Sequence, residues 1–129
     1  MRFFDKTRVY APMLVRYATG LVFLLIGLDQ LTKPDLWASY FPTSLPFGMS
    51  VANAVFYNGI FDTLIGILLI VGLLTRLFAA IAALHLIGVI YTLGYNDIAI
   101  RDIGIFLAAL SVFFYGSDAW SIDRKIWKH

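Results

Sequence analysis

Long apolar stretches are the feature of this chain that most restricts its fold. One of them, residues 77–95, runs without a charged residue, and three more appear once single charges are allowed inside or at the ends. The four predicted spans are 12–31, 51–74, 77–94 and 98–115. At about 1.5 Å per residue each span is ~27 to 36 Å long, close to a hydrocarbon core of about 30 Å. A segment in lipid must bond its own backbone, so each span is predicted to be a helix.

The composition agrees with a membrane setting. Hydrophobic residues make up 60% of the 129 residues and charged residues 14%, whereas soluble domains average about 45–50% and about 25%. The connections predicted at 75–76 and 95–97 are too short for anything but antiparallel neighbours. We therefore expect an all-α integral membrane protein, an antiparallel up-down four-helix bundle that forms a single domain over residues 1–129.

The N-terminus begins with basic residues and an apolar stretch, as a secretory signal does. No small-x-small cleavage site follows, so the sequence favours an uncleaved first span. The long connection, residues 32–50, is rich in aromatic residues and proline, which predicts an outer interfacial loop with its rings at headgroup level.

Lysine and arginine are distributed unevenly between the two sides of the predicted bundle. Lys33 and Arg101 are the only ones on the side of the long loop, and the other eight lie on the side of the termini. This pattern predicts cytoplasmic termini. We expect a multi-pass protein of a prokaryotic plasma membrane, surrounded by lipid, and no nucleic-acid partner.

Polar residues inside the spans are few and fall into two predicted tiers. All acidic residues are Asp, and the only Gln is Gln30. At 1.5 Å per residue, the shallow tier lies within ~6 Å of the loop-side interface, and the deep tier lies ~10 to 16 Å below it. The shallow tier is Asp29, Gln30, Asn53, Arg101 and Asp102, and the deep tier is Asn58, Asp62 and His85.

The shallow residues have two interpretations. They are either anchors whose charges reach the interface or the mouth of a site. Arg101 distinguishes them: a pair with Asp97 on its own helix makes it an anchor, whereas a pair with Asp29 ties the first helix to the fourth. We favour the tie.

The deep residues also have two interpretations, a structural hydrogen bond between helices or a ligand or proton site. Asn58 and Asp62 are four residues apart, so they share one helix face. Asp62 is expected to be protonated or to pair with His85.

Two further features concern packing. Glycines seven residues apart, in GLVFLLIG from Gly20 and GIFDTLIG from Gly59, mark either a close-packed seam, which we favour, or an inverted repeat. Arg16 lies about one turn inside the membrane, so we expect it to extend to the interface and have no chemical role.

Several chemistries have no support in the sequence. There is no cysteine, which excludes disulfides, Cys-ligated metal and CxxC redox chemistry. His129 is terminal, so bis-His heme ligation by His85 within one chain is excluded. No metal site, catalytic nucleophile or covalent cofactor is predicted.

Three stretches together resemble the DoxX family of small four-helix membrane proteins: GLVFLLIGLDQL, NGIFDTLIGILLIVGLLTRLFAAIAALH and RDIGIFLAALSVFFYGSDAWSIDR. The most specific parts are the pair Arg101-Asp102 and the Ser-x-Asp motif at residues 121–123, after the fourth predicted span. Gln30 stands where many relatives carry Lys. The resemblance implies a link to quinone chemistry, since some relatives are associated with thiosulfate:quinone oxidoreductases and others with membrane redox or detoxifying assemblies.

These observations predict a small membrane subunit of a quinone-linked oxidoreductase, with a redox protein or a second copy of the chain as partner. Quinone is its expected ligand. The alternative is a non-enzymatic scaffold that docks or stabilises a partner through small-residue helix faces and the aromatic outer loop, and a weaker one is a solute carrier. The candidate ligand-binding residues are Asn58, Asp62, His85, Asp29, Gln30, Arg101 and Asp102.

Overall fold

Each predicted span corresponds to one long helix in the computed structural model, which describes residues 2–41, 45–93 and 97–126. The long helices are α2 (Tyr10–Thr32), α4 (Val51–Val71), α5 (Thr75–Leu93) and α6 (Asp97–Tyr115), and the short ones are α1 (Arg2–Thr7), α3 (Pro34–Ala38) and α7 (Ile122–Ile126). All secondary structure in the described ranges is helical. The four long helices are long and apolar enough to cross a membrane. The fold is the predicted four-helix integral membrane bundle.

The helix boundaries within the described residues agree with the prediction to within three residues, and the end of α4 differs most. α4 ends at Val71 rather than at residue 74, because Gly72 takes a left-handed conformation with φ of 77°. Its amide and that of Leu73 both bond to the carbonyl of Leu68, a common way to end a helix. Thr75, predicted in the turn, instead begins α5. The predicted end of the third span, residue 94, lies outside the described residues.

α2 and α4 pack against each other along a seam of glycines. A Cβ atom on Gly66 would lie 2.7 Å from the carbonyl oxygen of Gly20, and one on Gly27 would lie 2.8 Å from that of Gly59. Only glycine permits two helix backbones to approach this closely. The favoured interpretation of the paired glycines, a close-packed seam, is therefore confirmed.

α5 and α6 pack through small residues. Ala79, Ala82 and Ala83 of α5 are buried with Ala109 and Val112 of α6. They join an apolar cluster with Phe23, Ile65, Leu69 and Leu86. We call the bundle end that carries Arg8, Arg76 and Arg124 the basic end, and the opposite end, which carries α3, the loop end. The cluster fills the basic half of the bundle.

Arg16 departs from its expected position. Its side chain is 1% exposed, and it donates through Nε to Asp118 Oδ2 at 2.6 Å and through Nη2 to Asp118 Oδ1 at 3.1 Å. Nη1 donates to the carbonyls of Leu69 and Ile70 in the last turn of α4. The prediction that Arg16 extends to the interface was wrong, because the chain turns back after α6 at Gly116, whose φ is 85°, and buries Asp118 beside it.

The same returning segment caps α5. The two carboxylate oxygens of Asp123 accept hydrogen bonds from the backbone amides of Leu74 and Thr75, both at 2.6 Å. The amide of Asp123 donates in turn to the carbonyl of Gly72. A carboxylate at a helix N-terminus accepts hydrogen bonds from unpaired amides and interacts favourably with the positive end of the helix dipole. Residues 117–126 thus fasten α2, α4 and α5 together at the basic end.

Candidate functional site

A cavity of about 330 Å³ lies at the loop end, where the apolar cluster of the basic half stops. All four long helices contribute to its wall, and so do α3 and the segment that follows it. Apolar side chains dominate the lining: Val22, Phe23, Ile26, Leu86, Val89, Ile98 and Ile105 from the helices, and Trp37, Tyr40, Phe41 and Leu45 from the loop. A mostly apolar cavity with a few polar groups is the usual form of a small-molecule site.

Three of the polar lining residues form one hydrogen-bonded chain. Asn58 Nδ2 donates to Gln30 Oε1 at 2.9 Å and to Asp62 Oδ2 at 3.1 Å. Asn58 and Asp62 therefore share a face, as their spacing predicts. Gln30, assigned to the shallow tier, thus contacts a residue of the deep tier. Gly59 explains the contact, because a Cβ there would lie 3.2 Å from the Cβ of Gln30.

Asp62 on α4 and His85 on α5 lie next to each other. This is the pairing that the sequence offered as one of two expectations for Asp62. His85 Nε2 lies 3.3 Å from Asp62 Oδ1, and that oxygen has no hydrogen-bond partner among the residues that the structure describes. Asp62 is buried, whereas the His85 side chain is 23% exposed and stacks beside Phe61. The pair thus combines a buried carboxyl group with an imidazole that is accessible at the cavity wall.

The expected tie between Arg101 and Asp29 is absent. Arg101 Nη2 lies 3.0 Å from Oδ1 of its neighbour Asp102, which is buried. The alternative partner, Asp97, does not form the pair either. The long arginine side chain folds back along its own helix, so the rotation of about 100° between successive residues does not prevent the contact.

Asp29 has other partners. Trp37 Nε1 donates to Asp29 Oδ2 at 2.7 Å, and Lys33 Nζ lies 3.7 Å from Oδ1. Asp29 does not itself line the cavity, but it holds the indole ring that does. The other six predicted residues, Gln30, Asn58, Asp62, His85, Arg101 and Asp102, all line it.

Sequence reasoning missed the contribution of the loop to this site. Trp37, Tyr40 and Phe41 were expected to lie at headgroup level, yet they also form part of the cavity wall. Pro34 was the available signal in the sequence, because proline is common at the first position of a helix and α3 begins there. Within the described residues no group of three His, Cys, Asp or Glu side chains is placed to hold a metal.

Comparison with known proteins gives one result. The DoxX family model matches residues 11–94, which include α2 except its first residue, α4, α5 and most of the polar lining. Arg101 and Asp102, on α6, lie beyond the matched range. Searches of curated proteins and of solved structures give no significant match. Because the family model covers well over half of the chain, the protein belongs to the DoxX family.

Proposed function

We propose that the cavity binds the head group of a membrane-soluble quinone and that the chain is a membrane subunit of a quinone-linked oxidoreductase. The observation that carries this proposal is the Asp62–His85 pair at the wall of an apolar cavity inside a membrane bundle. A quinone, when bound, supplies two-electron, two-proton chemistry. Such a ligand needs an apolar chamber, hydrogen-bonding groups for its oxygens and a group that exchanges protons.

The hydrogen-bonding groups of the cavity suit oxygen atoms in both redox forms. Both amide hydrogens of Asn58 are engaged by Gln30 and Asp62, so its carbonyl oxygen is left as an acceptor. Gln30 is an acceptor in that contact, which leaves its amide nitrogen as a donor. Donors serve a carbonyl oxygen, and acceptors serve a hydroxyl group.

Asp62 and His85 are the proposed proton-exchanging groups. A carboxyl group and an imidazole 3.3 Å apart can share one proton and pass it in either direction. Asp62 Oδ1 has no hydrogen-bond partner among the described residues, and a buried polar group in this state is one that a ligand or a proton would satisfy. His85 is the member that can contact a ligand, because it is partly exposed.

The remaining wall would exclude water and accept the apolar part of the ligand. Trp37, Tyr40 and Phe41 cover the loop side with aromatic rings. Electrons would come from a partner redox protein, since the chain has no cysteine for redox chemistry of its own. A prokaryotic plasma membrane and cytoplasmic termini remain part of the proposal.

The scaffold alternative is less favoured for a structural reason. It relied on small-residue helix faces and on the aromatic outer loop as docking surfaces. Trp37, Tyr40 and Phe41 of that loop line the cavity. Gly20, Gly27, Gly59 and Gly66 are buried between α2 and α4, and Ala79, Ala82 and Ala83 are buried in the core. These faces are consumed by packing within the chain.

The test is binding of a short-tailed benzoquinone to the purified chain in detergent. Binding is measured by the quenching of tryptophan fluorescence. Trp37 lines the cavity, so Trp37→Phe should remove most of the quenching. Asn58→Ala should weaken binding about tenfold, because it removes the amide that orders Gln30 and Asp62. Asn53→Ala is the matched control, since Asn53 is an exposed asparagine on the same helix outside the cavity lining.

The outcome separates the alternatives. Weakened binding in Asn58→Ala with normal binding in Asn53→Ala supports the quinone site. If the wild-type chain does not bind the quinone, or if Asn58→Ala binds it as well as wild type, the site is not a quinone site.

A further inference from the structure

A second concave surface lies at the basic end, outside the site described above. This groove, about 480 Å³ in volume, lies where α5 begins and α6 ends. Its lining is mainly polar and includes Thr75, Arg76, Ser117 and Arg124. It shares no residue with the loop-end cavity, so an inference about it does not depend on the quinone proposal.

Two arginines give the groove a positive charge. Arg124 Nη2 donates to the carbonyl of Ser117 at 2.8 Å, and Arg76 Nη2 makes a long contact of 3.5 Å with the carbonyl of Phe114. A guanidinium group has five N–H donors. Most donors of both arginines therefore stay available within the described structure, and both side chains are exposed.

The acidic residue of the groove does not compete for these donors. Asp123 is buried, and its two oxygens are engaged by the backbone amides of Leu74 and Thr75. Thr75 is also buried, and its Oγ1 has no hydrogen-bond partner within the described residues. The groove thus offers donors for an anion and little opposing charge at its surface.

An apolar border lies directly beside the two arginines. Leu74, Leu77 and Tyr115 also line the groove, and they are 45%, 53% and 52% exposed. They stand at the ends of membrane-spanning helices, at the level where headgroups meet acyl chains. A free phosphate ion would leave this border uncovered, whereas a phospholipid would cover it with its chains.

We propose that the groove binds the phosphate group of an anionic glycerophospholipid. Arg76 and Arg124 hold the phosphate oxygens, a geometry that suits the planar guanidinium group, and the acyl chains lie along Leu77 and Tyr115. Basic pockets between membrane helices are typical sites for anionic headgroups. The bound lipid would bridge α5 and α6 and fix the depth of the basic end in the bilayer.

The test is native mass spectrometry of the full chain, from micelles with equal amounts of phosphatidylglycerol and phosphatidylcholine of identical acyl chains. We expect one retained phosphatidylglycerol and a preference on the order of tenfold, which Arg76→Gln with Arg124→Gln removes. Lys6→Gln with Lys125→Gln is the matched control, since both lysines are exposed and lie outside the groove. This lysine control removes the same number of positive charges and should keep the preference for phosphatidylglycerol.

Three results would overturn the proposal. The first is no preference in the wild-type chain, which needs no variant and remains decisive if the arginine variant does not fold. The second is an equal loss in the lysine control, which indicates diffuse surface charge. The third is displacement of the lipid by millimolar inorganic phosphate, which indicates a site for the free ion.

Discussion

Two buried aspartates in this bundle differ in how far their charges are satisfied. Both oxygens of Asp118 accept hydrogen bonds, from Arg16 and from the backbone amide of Trp120. Asp62 has one oxygen bonded to Asn58 and one with no hydrogen-bond partner among the described residues. A fully satisfied buried pair fixes structure, while a buried group left unsatisfied can still accept a ligand or a proton. We therefore expect the two residues to serve different purposes despite similar burial.

The first residue-level prediction concerns Asp118. Asp118→Ala should lower the free energy of unfolding in detergent by about 3–5 kcal/mol, because it leaves the buried Arg16 charge uncompensated. Arg16→Met combined with Asp118→Leu should recover much of this loss. Asp5→Ala is the control, since the pair of Asp5 with Arg8 is exposed. Its loss should lower the free energy of unfolding by less than about 1 kcal/mol. A change in Asp118→Ala no larger than the control would contradict the assigned role.

The second prediction concerns the contact between Asp62 and His85. Asp62→Leu and His85→Leu should each lower thermal stability. The double variant should lose less stability than the sum of the losses in the two single variants. We expect a coupling of about 0.5–3 kcal/mol, typical of residues in contact. A double-mutant cycle measures it, and strict additivity would show that the pair does not interact.

At the scale of helices, the glycine seam between α2 and α4 contrasts with glycines elsewhere. A Cβ on Gly27 would meet the carbonyl oxygen of Gly59 at 2.8 Å, whereas one on Gly104 of α6 would meet no atom within 4 Å. The chain thus contains the same residue type in a tight and in an open helical position. The difference follows from packing between elements and not from local propensity.

The contrast predicts opposite outcomes for one substitution. Gly27→Ala should destabilise the bundle by about 1–3 kcal/mol through overpacking. Gly104→Ala should be neutral or stabilising by up to about 1 kcal/mol, because alanine is the better helix former. Thermal unfolding in detergent measures both, and equal effects at the two positions would argue against the seam.

The sequence predicted the elements better than the partners of their charged residues. Apolar length fixes where helices run, so the four spans were found, with their described ends placed to within three residues. Whether Arg101 contacts Asp29 or Asp102 depends on side-chain rotamers and on where α3 folds. Arg16 was misjudged for a similar reason, since its partner follows a chain reversal that no local pattern reveals. The polar residues of the cavity were predicted because polar groups in lipid are rare. The loop residues of its wall could not be predicted, because their position depends on how the loop packs against the helices.

For the whole molecule, the distribution of basic residues predicts its orientation. Of the nine Lys and Arg residues that the structure describes, seven belong to the basic end, which predicts that this end faces the cytoplasm. Reporter fusions in the loop after Tyr40 and at the C-terminus should report opposite sides of the membrane, with the C-terminal fusion cytoplasmic. A periplasmic signal from the C-terminal fusion would reverse the predicted orientation.

The contact between Arg16 and Asp118 also has a consequence for biosynthesis. The two residues are 102 positions apart in the chain, and a ribosome makes Arg16 first. While the intervening residues are made, α2 therefore holds an arginine without its counter-charge, and this arginine must extend toward the interface to stay hydrated. Only after Asp118 has been made can Arg16 turn inward and close the bundle. Assembly is thus coupled to synthesis of the segment after α6, and a nascent protein that stops before Asp118 has its helices but not the contact that locks them.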